Sequence, residues 1–141
     1  MSWLKRLFIW FRDLNQRKNS NRPATRNCKI EEPPVVYSCI AVVTTPPKGN
    51  QLDRQTVYCV VNRQRMKWSM MSCPCGCGDS ITLSLQAIHK PHWSLSQTES
   101  LRPTLYPSVW RDVGCFSHFW VRDGRVFWCA DTGFPPVRSR F

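Results

Sequence analysis

The sequence lacks any long run of apolar residues. The longest apolar run near its start covers residues 7–11 and is followed by Arg12, whereas a membrane-spanning helix needs roughly 20 apolar residues. The start also has neither the apolar region of roughly 7–15 residues nor the small-residue cleavage site of a secretory signal. We therefore expect a cytoplasmic protein. In that compartment the eight cysteines should be reduced thiols, and clustered thiols favour metal binding over disulfides.

Acidic side chains are also scarce. Nine Asp and Glu face 20 Lys and Arg, which gives a net charge of +11. The basic residues are densest in residues 1–30, where eight of them face Asp13 alone. Such a surface suits nucleic acid, anionic lipid or an acidic protein partner, and charge alone does not choose among them. Nucleic acid is therefore a possible partner but not the favoured one.

The first part of the chain differs in pattern from the rest. Residues 1–14 are predicted to form a basic amphipathic helix, since Trp3, Leu7, Trp10 and Leu14 recur at helical spacing. This apolar stripe either docks on a partner or packs on the protein's own core, and the pattern leaves both open. Residues 15–34 are predicted to form a polar linker, and residues 134–141 a basic tail.

Residues 35–133 are predicted to form a small β domain, so the fold class is mostly β (α+β). Short runs of β-branched, aromatic or alternating residues predict its strands; they cover residues 35–43, 56–62, 68–71, 81–85, 92–95, 104–106, 116–122 and 125–130. Asp123-Gly124 separates the last two runs. This dipeptide predicts a C-terminal hairpin with a two-residue turn, because both turn residues need a positive φ.

A short glycine-containing loop holds three cysteines at alternate positions. Cys73, Cys75 and Cys77 are separated by Pro74 and Gly76. Glycine permits positive φ, which lets a backbone wrap closely around an ion. Because zinc takes four ligands in tetrahedral geometry, we expect further ligands from elsewhere in the chain.

The C-terminal hairpin is the expected source of those further ligands. Cys115 precedes its first strand and Cys129 lies near the end of its second. The two-residue turn places His118 opposite Cys129 on one face. Strict alternation puts Cys115 and Cys129 on opposite faces. Because Cys115 precedes the strand, however, this rule does not fix its direction. The predicted ligands of a structural Zn²⁺ are thus Cys73, Cys75, Cys77, Cys115 and Cys129, with an iron–sulfur cluster as the alternative.

Two other cysteines, Cys39 and Cys59, lie inside apolar runs. Free cysteine is among the most buried residue types. We expect both to pack in the core.

Several ordered motifs between about residues 56 and 130 resemble one family of small bacterial proteins. The motifs are Cys73-Pro-Cys-Gly-Cys-Gly, Trp93-Ser-Leu, Thr104-Leu-Tyr-Pro-Ser-Val-Trp110, Gly114-Cys-Phe-Ser-His-Phe119 and Gly124-Arg-Val-Phe-Trp-Cys129. The family is the BubE-like one, linked to bacterial ubiquitin-like conjugation operons. The resemblance implies a hydrolase with a serine nucleophile that processes or deconjugates a ubiquitin-like modifier. It also implies a ubiquitin-like protein as partner, together with E1-like or E2-like proteins.

The matched motifs offer Ser108 and Ser117 as nucleophiles and His118 as the base. A serine nucleophile needs a base within hydrogen-bond reach. Neighbouring residues on a regular strand point to opposite faces, so Ser117 should not reach His118. This favours Ser108, unless a bulge redirects Ser117. His118 could instead bind zinc.

Other residues and other functions stay open. His89 and His92 are further possible bases, and Asp79, Asp112 and Asp131 could each orient a histidine. The chain could also be a zinc-binding adaptor without catalysis, or a basic nucleic-acid-binding zinc protein. A metallohydrolase would need an open zinc position, and a thiolate-rich ligand set favours a structural site instead.

Overall fold

Eight short strands are the main regular elements of the structure, a computed structural model that describes residues 31–137. The strands are β1 Cys39–Val43, β2 Thr56–Asn62, β3 Arg65–Ser72, β4 Ser80–Ser84, β5 Ser94–Gln97, β6 Pro103–Trp110, β7 His118–Arg122 and β8 Arg125–Trp128. One short 3-10 turn covers Gly49–Gln51. The predicted mostly β fold class is confirmed. The predicted helix of residues 1–14 lies outside the described residues, as does most of the predicted linker.

The strands are divided between two four-stranded sheets. The first has the order β1-β2-β3-β4, with β1 parallel to β2 and the other neighbours antiparallel. The second has the order β5-β6-β7-β8 and is antiparallel throughout. The second sheet provides the strands that position Ser108 and His118.

One hydrophobic core draws on both sheets. Val57, Met71 and Leu83 from the first sheet join Leu105 and Phe119 from the second in a single cluster of buried side chains. Alternation along each strand directs these residues inward. The buried faces of the two sheets therefore stabilise one another.

Tyr37, fully buried before β1, connects the two sheets through hydrogen bonds. Its hydroxyl donates to the Ser72 carbonyl at 2.7 Å, and its backbone N–H donates to the Gly124 carbonyl at 2.8 Å. The chain approaches Gly124 so closely that a Cβ there would lie 2.0 Å from the Tyr37 carbonyl oxygen. Glycine is thus required at this turn for packing as well as for its positive φ.

The predicted C-terminal hairpin is confirmed. Arg122 pairs with Arg125 across the two-residue turn. Asp123 and Gly124 have φ of 48° and 70°, as a type I′ turn requires.

The two cysteines that we expected in the core differ in burial. Cys59, on the inner strand β2, is buried, whereas Cys39 is exposed. The prediction for Cys39 was wrong because β1 is an edge strand of its sheet and leaves Cys39 outside the buried cluster.

Among residues 31–137, no helix is long and apolar enough to cross a membrane.

Candidate active site and cysteine cluster

An irregular stretch of β6 positions Ser108. Leu105 pairs with Val121 and Val109 pairs with Phe119, so β6 has two more residues than β7 between these pairs. Such a bulge bends the strand and redirects its side chains. The Ser108 Oγ lies 3.1 Å from the Nε2 of His118, the first residue of β7.

A carboxylate lies on the other side of the same imidazole. His118 Nδ1 is 2.6 Å from Oδ1 of Asp131, in the turn that follows β8. A carboxylate only accepts hydrogen bonds, so Nδ1 carries the ring proton and Nε2 is free to accept the proton of Ser108. The three side chains form a continuous hydrogen-bonded series from hydroxyl to imidazole to carboxylate.

The turn that contains Asp131 is attached to the start of β7. The backbone N–H of His118 donates to Thr132 Oγ1 at 3.0 Å, and Gly133 N–H donates to the Phe116 carbonyl at 2.9 Å. These bonds fix the position of the carboxylate relative to the imidazole.

Two tryptophans contact Ser108 and His118. The Trp110 ring stacks on the His118 ring with centroids 4.3 Å apart and an angle of 2°. Trp93 Nε1 donates to the Ser108 carbonyl at 3.2 Å. The His118 side chain is 14% exposed and that of Asp131 49% exposed. The His118 ring is therefore shielded by Trp110, whereas the Asp131 carboxylate is open to solvent.

Four cysteines form a compact cluster near the start of β7, on the face opposite His118. The Sγ atoms of Cys73, Cys75, Cys77 and Cys115 all lie within 4.8 Å of one another. Cys73 Sγ is 3.3 Å from Cys75 Sγ and 3.7 Å from Cys115 Sγ. A tetrahedral ion with zinc–sulfur bonds of about 2.3 Å would hold its sulfurs about 3.8 Å apart. The four thiols therefore fit a metal ion of this size.

The four thiols cannot all ionise side by side without a cation. Burial raises the pKa of Cys73 to about 12. At Cys115 burial also opposes ionisation, but hydrogen bonds from Ser117 and the neighbouring thiols outweigh it and lower the pKa to about 6. Burial thus opposes a thiolate at Cys73 while hydrogen bonds favour one at Cys115 beside it. A bound metal ion removes this conflict, because it stabilises every thiolate.

Arg111 provides a fixed positive charge beside the cluster. Its Nη1 lies 3.3 Å from Cys115 Sγ, 3.6 Å from Cys77 Sγ and 3.0 Å from Oδ2 of Asp79. A zinc ion with four thiolates has a net charge of −2, and the guanidinium offsets part of it.

Ser117 belongs to the cysteine cluster. It is 3% exposed, and its Oγ lies 3.1 Å from Cys115 Sγ and 3.8 Å from Cys73 Sγ. The alternation of neighbouring residues that we expected from the sequence thus places Ser117 and His118 on different faces.

Cys129 lies apart from the four clustered cysteines, in a group with His118 and Asp131. Its N–H donates to the His118 carbonyl at 2.9 Å, so the two residues are cross-strand neighbours on one face. Four of the five expected zinc ligands lie together, and the same alternation that separates Ser117 from His118 separates Cys129 from Cys115.

The other candidate residues lie elsewhere. His89 Nδ1 is 2.6 Å from Ser84 Oγ and its ring stacks on Trp68, while His92 Nδ1 is 3.2 Å from the His89 carbonyl. Asp79 pairs with Arg111, and Asp112 is exposed in the loop after β6. Of the three aspartates considered, the structure brings Asp131 to His118.

Residues 42–129, more than half of the 141-residue chain, match the family of bacterial ubiquitination-like system serine proteases (BubE). The chain belongs to this family. The resemblance seen in the sequence motifs is therefore confirmed, and the match includes Ser108, His118 and all four clustered cysteines. Asp131 lies just beyond the matched segment. No curated protein and no solved structure gives a match.

Proposed function

We propose that this BubE protein is a serine peptidase or esterase that cleaves at the C-terminus of a ubiquitin-like modifier. Ser108 is the nucleophile, His118 the general base and Asp131 the residue that orients and charge-balances the histidine. The observation that supports this assignment is the hydrogen-bonded series Ser108–His118–Asp131, with 3.1 Å and 2.6 Å separations.

The reaction follows from the two hydrogen bonds. Ser108 Oγ attacks the carbonyl carbon that ends the modifier, while His118 Nε2 takes the hydroxyl proton. The tetrahedral intermediate collapses as its bond to the leaving group breaks, and His118 returns the proton to that group. An ester on Ser108 remains. Water then attacks this ester, His118 again takes and returns a proton, and the modifier leaves with a free carboxyl group.

Asp131 and Trp110 determine how well His118 performs these transfers. The carboxylate keeps the proton on Nδ1 and stabilises the imidazolium that forms when Nε2 is protonated. The stacked Trp110 ring restricts rotation of the imidazole out of the line between Ser108 and Asp131. Together they keep Nε2 directed at the serine oxygen before substrate binds.

Cys73, Cys75, Cys77 and Cys115 would hold a structural Zn²⁺. The ion supplies folding free energy and takes no part in the proton transfers. Ser117, within reach of two sulfurs, helps to hold the thiolates. The proposed zinc site is thereby joined to the active site through the consecutive residues Ser117 and His118, at the start of β7.

The substrate assignment rests on the family, which is one of serine proteases of a bacterial ubiquitination-like system. The partners we propose are a ubiquitin-like protein and the E1-like or E2-like proteins that attach it. A cytoplasmic location fits such a pathway and keeps the cysteines reduced.

The test is a cleavage assay on a ubiquitin-like modifier from the same system, presented both as a precursor and as a conjugate. Ser108→Ala and His118→Ala should each lower the rate on the order of 10³-fold or more, since each removes a group that acts only in the transition state. Zinc content should stay unchanged in both variants.

Two variants serve as controls for that assay. Ser96→Ala removes an exposed hydroxyl from β5 and should leave the rate unchanged. Ser117→Ala should keep cleavage while weakening the metal cluster. Full activity in Ser108→Ala would reject this nucleophile, and failure of a zinc-loaded wild type to cleave either substrate would favour a non-catalytic adaptor.

A further inference from the structure

A second group of metal-binding side chains overlaps the active site. His118, Cys129 and Asp131 each offer a ligand atom, and these atoms all lie within 4.8 Å of one another. Imidazole, thiolate and carboxylate are the ligand types that zinc combines in proteins. This group shares no residue with the four-cysteine cluster.

The chain geometry brings these three ligands together. Cys129 and His118 are cross-strand neighbours, joined by a 2.9 Å backbone hydrogen bond. The turn after β8 then returns Asp131 to His118 Nδ1. Cys129 is partly buried and Asp131 is 49% exposed, so an ion from solvent reaches the group at the carboxylate.

We propose that His118, Cys129 and Asp131 form a second, weaker transition-metal site whose occupation switches off the Ser108–His118 pair. The proposal rests on the proposed serine mechanism for its effect on activity, although metal binding itself does not depend on that mechanism. Three protein ligands leave the fourth position of a tetrahedral ion to water.

Inhibition follows from the position of the ring proton. A metal ion between His118 and Asp131 takes the lone pair of Nδ1, and the single ring proton moves to Nε2. Cys129 releases its thiol proton to solvent on binding. With a proton on Nε2, His118 can no longer accept the proton of Ser108, so the nucleophile is not activated.

The hydrogen bond between His118 Nδ1 and Asp131 Oδ1 must lengthen to admit the ion. Bonds of about 2.0 Å from zinc to nitrogen and oxygen place two tetrahedral ligands about 3.3 Å apart. The Nδ1 to Oδ1 separation is 2.6 Å, so the carboxylate must withdraw by about 0.7 Å. Asp131 lies in a turn and is half-exposed, which makes this shift feasible.

The test titrates Co²⁺ into the full-length protein after its four-cysteine cluster has been loaded with zinc. A second metal ion per chain, taken up as Co²⁺, should bind and give a thiolate-to-cobalt charge-transfer band in the near ultraviolet. Cys129→Ser should weaken this second binding at least about 10-fold and remove the band, by analogy with the loss of other metal-site groups. Cys39→Ser, which alters an exposed cysteine outside both groups, should bind as the wild type does.

Two further readouts test the switch. Imidazole nitrogen NMR should show the His118 proton on Nε2 when the second equivalent is bound. In the cleavage assay, added Zn²⁺ should inhibit the wild type, and the ratio of rates with and without Zn²⁺ should approach one in Cys129→Ser.

The possible contrary results are distinct. Absence of a second equivalent, or equal binding by Cys129→Ser, would overturn the site. Activation by Zn²⁺ would overturn the inhibitory role and favour a metallohydrolase. If no cleavage is seen at all, the serine mechanism fails, while the cobalt band and the NMR signal still decide the metal site.

Discussion

At the scale of single residues, the assignment depends on which of two serines faces His118. Ser117 is the sequence neighbour of His118, yet its hydroxyl contacts sulfur atoms. Ser108 is ten residues away along the chain and forms the 3.1 Å contact with Nε2. Strand alternation, which the sequence predicted, turns Ser117 away from His118, and the bulge in β6 brings Ser108 to it.

Asp131 offers the sharpest single-residue prediction. In Asp131→Asn an amide replaces the carboxylate, and its NH₂ group can donate to Nδ1. This favours the tautomer with the proton on Nε2 and removes the negative charge that stabilises the imidazolium. We expect the cleavage rate to fall by about 10²–10⁴-fold, as for other triad aspartates.

The measurement is kcat on the modifier, with melting temperature and zinc content determined on the same samples. Asp112→Asn alters another of the three candidate aspartates, in the exposed loop after β6, and should keep the wild-type rate. An Asp131→Asn variant with wild-type kcat would remove Asp131 from the mechanism.

At the scale of elements, the sequence predicted regular strands and turns better than irregular ones. The run 56–62 became β2 with the same bounds, and Asp123-Gly124 became the expected turn. Both have strong local signals: a run rich in β-branched residues, and a dipeptide that tolerates positive φ. Such elements depend little on distant contacts.

The irregular part of β6 was not predicted in full. The run 104–106 extends to Pro103–Trp110 in the structure, and the extra residues that redirect Ser108 lie within it. A bulge depends on pairing with β7, and no local residue pattern specifies that pairing. The sequence could therefore nominate Ser108 but not its distance from His118.

The placement of Cys129 was predictable only in part: the sequence put it opposite His118, but it did not show which face of the hairpin the loop 73–79 approaches. Judged by residue type alone, a cysteine at the end of the hairpin is a candidate zinc ligand. Cross-strand pairing with His118 assigns it to the active-site face instead. The full grouping of thiols required knowledge of where the loop 73–79 lies relative to β7.

At the scale of the whole molecule, the four-cysteine cluster connects the two sheets. Cys73, Cys75 and Cys77 lie in the loop between β3 and β4 of the first sheet, and Cys115 precedes β7 of the second. A metal ion there would join the sheets beside their shared core. His118 begins β7 three residues after Cys115, so such a metal ion would also hold the proposed base in place.

Loss of one metal ligand should therefore unfold the domain. Cys75→Ser should lower bound zinc well below one ion per chain and abolish cooperative melting, because structural zinc contributes on the order of 10 kcal/mol to folding. Zinc analysis and thermal unfolding measure this, with Cys39→Ser as the control that keeps both properties. One zinc per chain and an unchanged melting curve in Cys75→Ser would contradict the bracing role.

The most direct test of the account is covalent labelling by a fluorophosphonate, which reacts with serines activated by a neighbouring base. Intact mass should show one adduct per wild-type chain, and peptide mass spectrometry should locate it on Ser108. His118→Ala should label far more slowly, while Ser117→Ala should label as the wild type does. An adduct on Ser117, or no adduct on a zinc-loaded protein that still cleaves the modifier, would contradict Ser108 as the nucleophile.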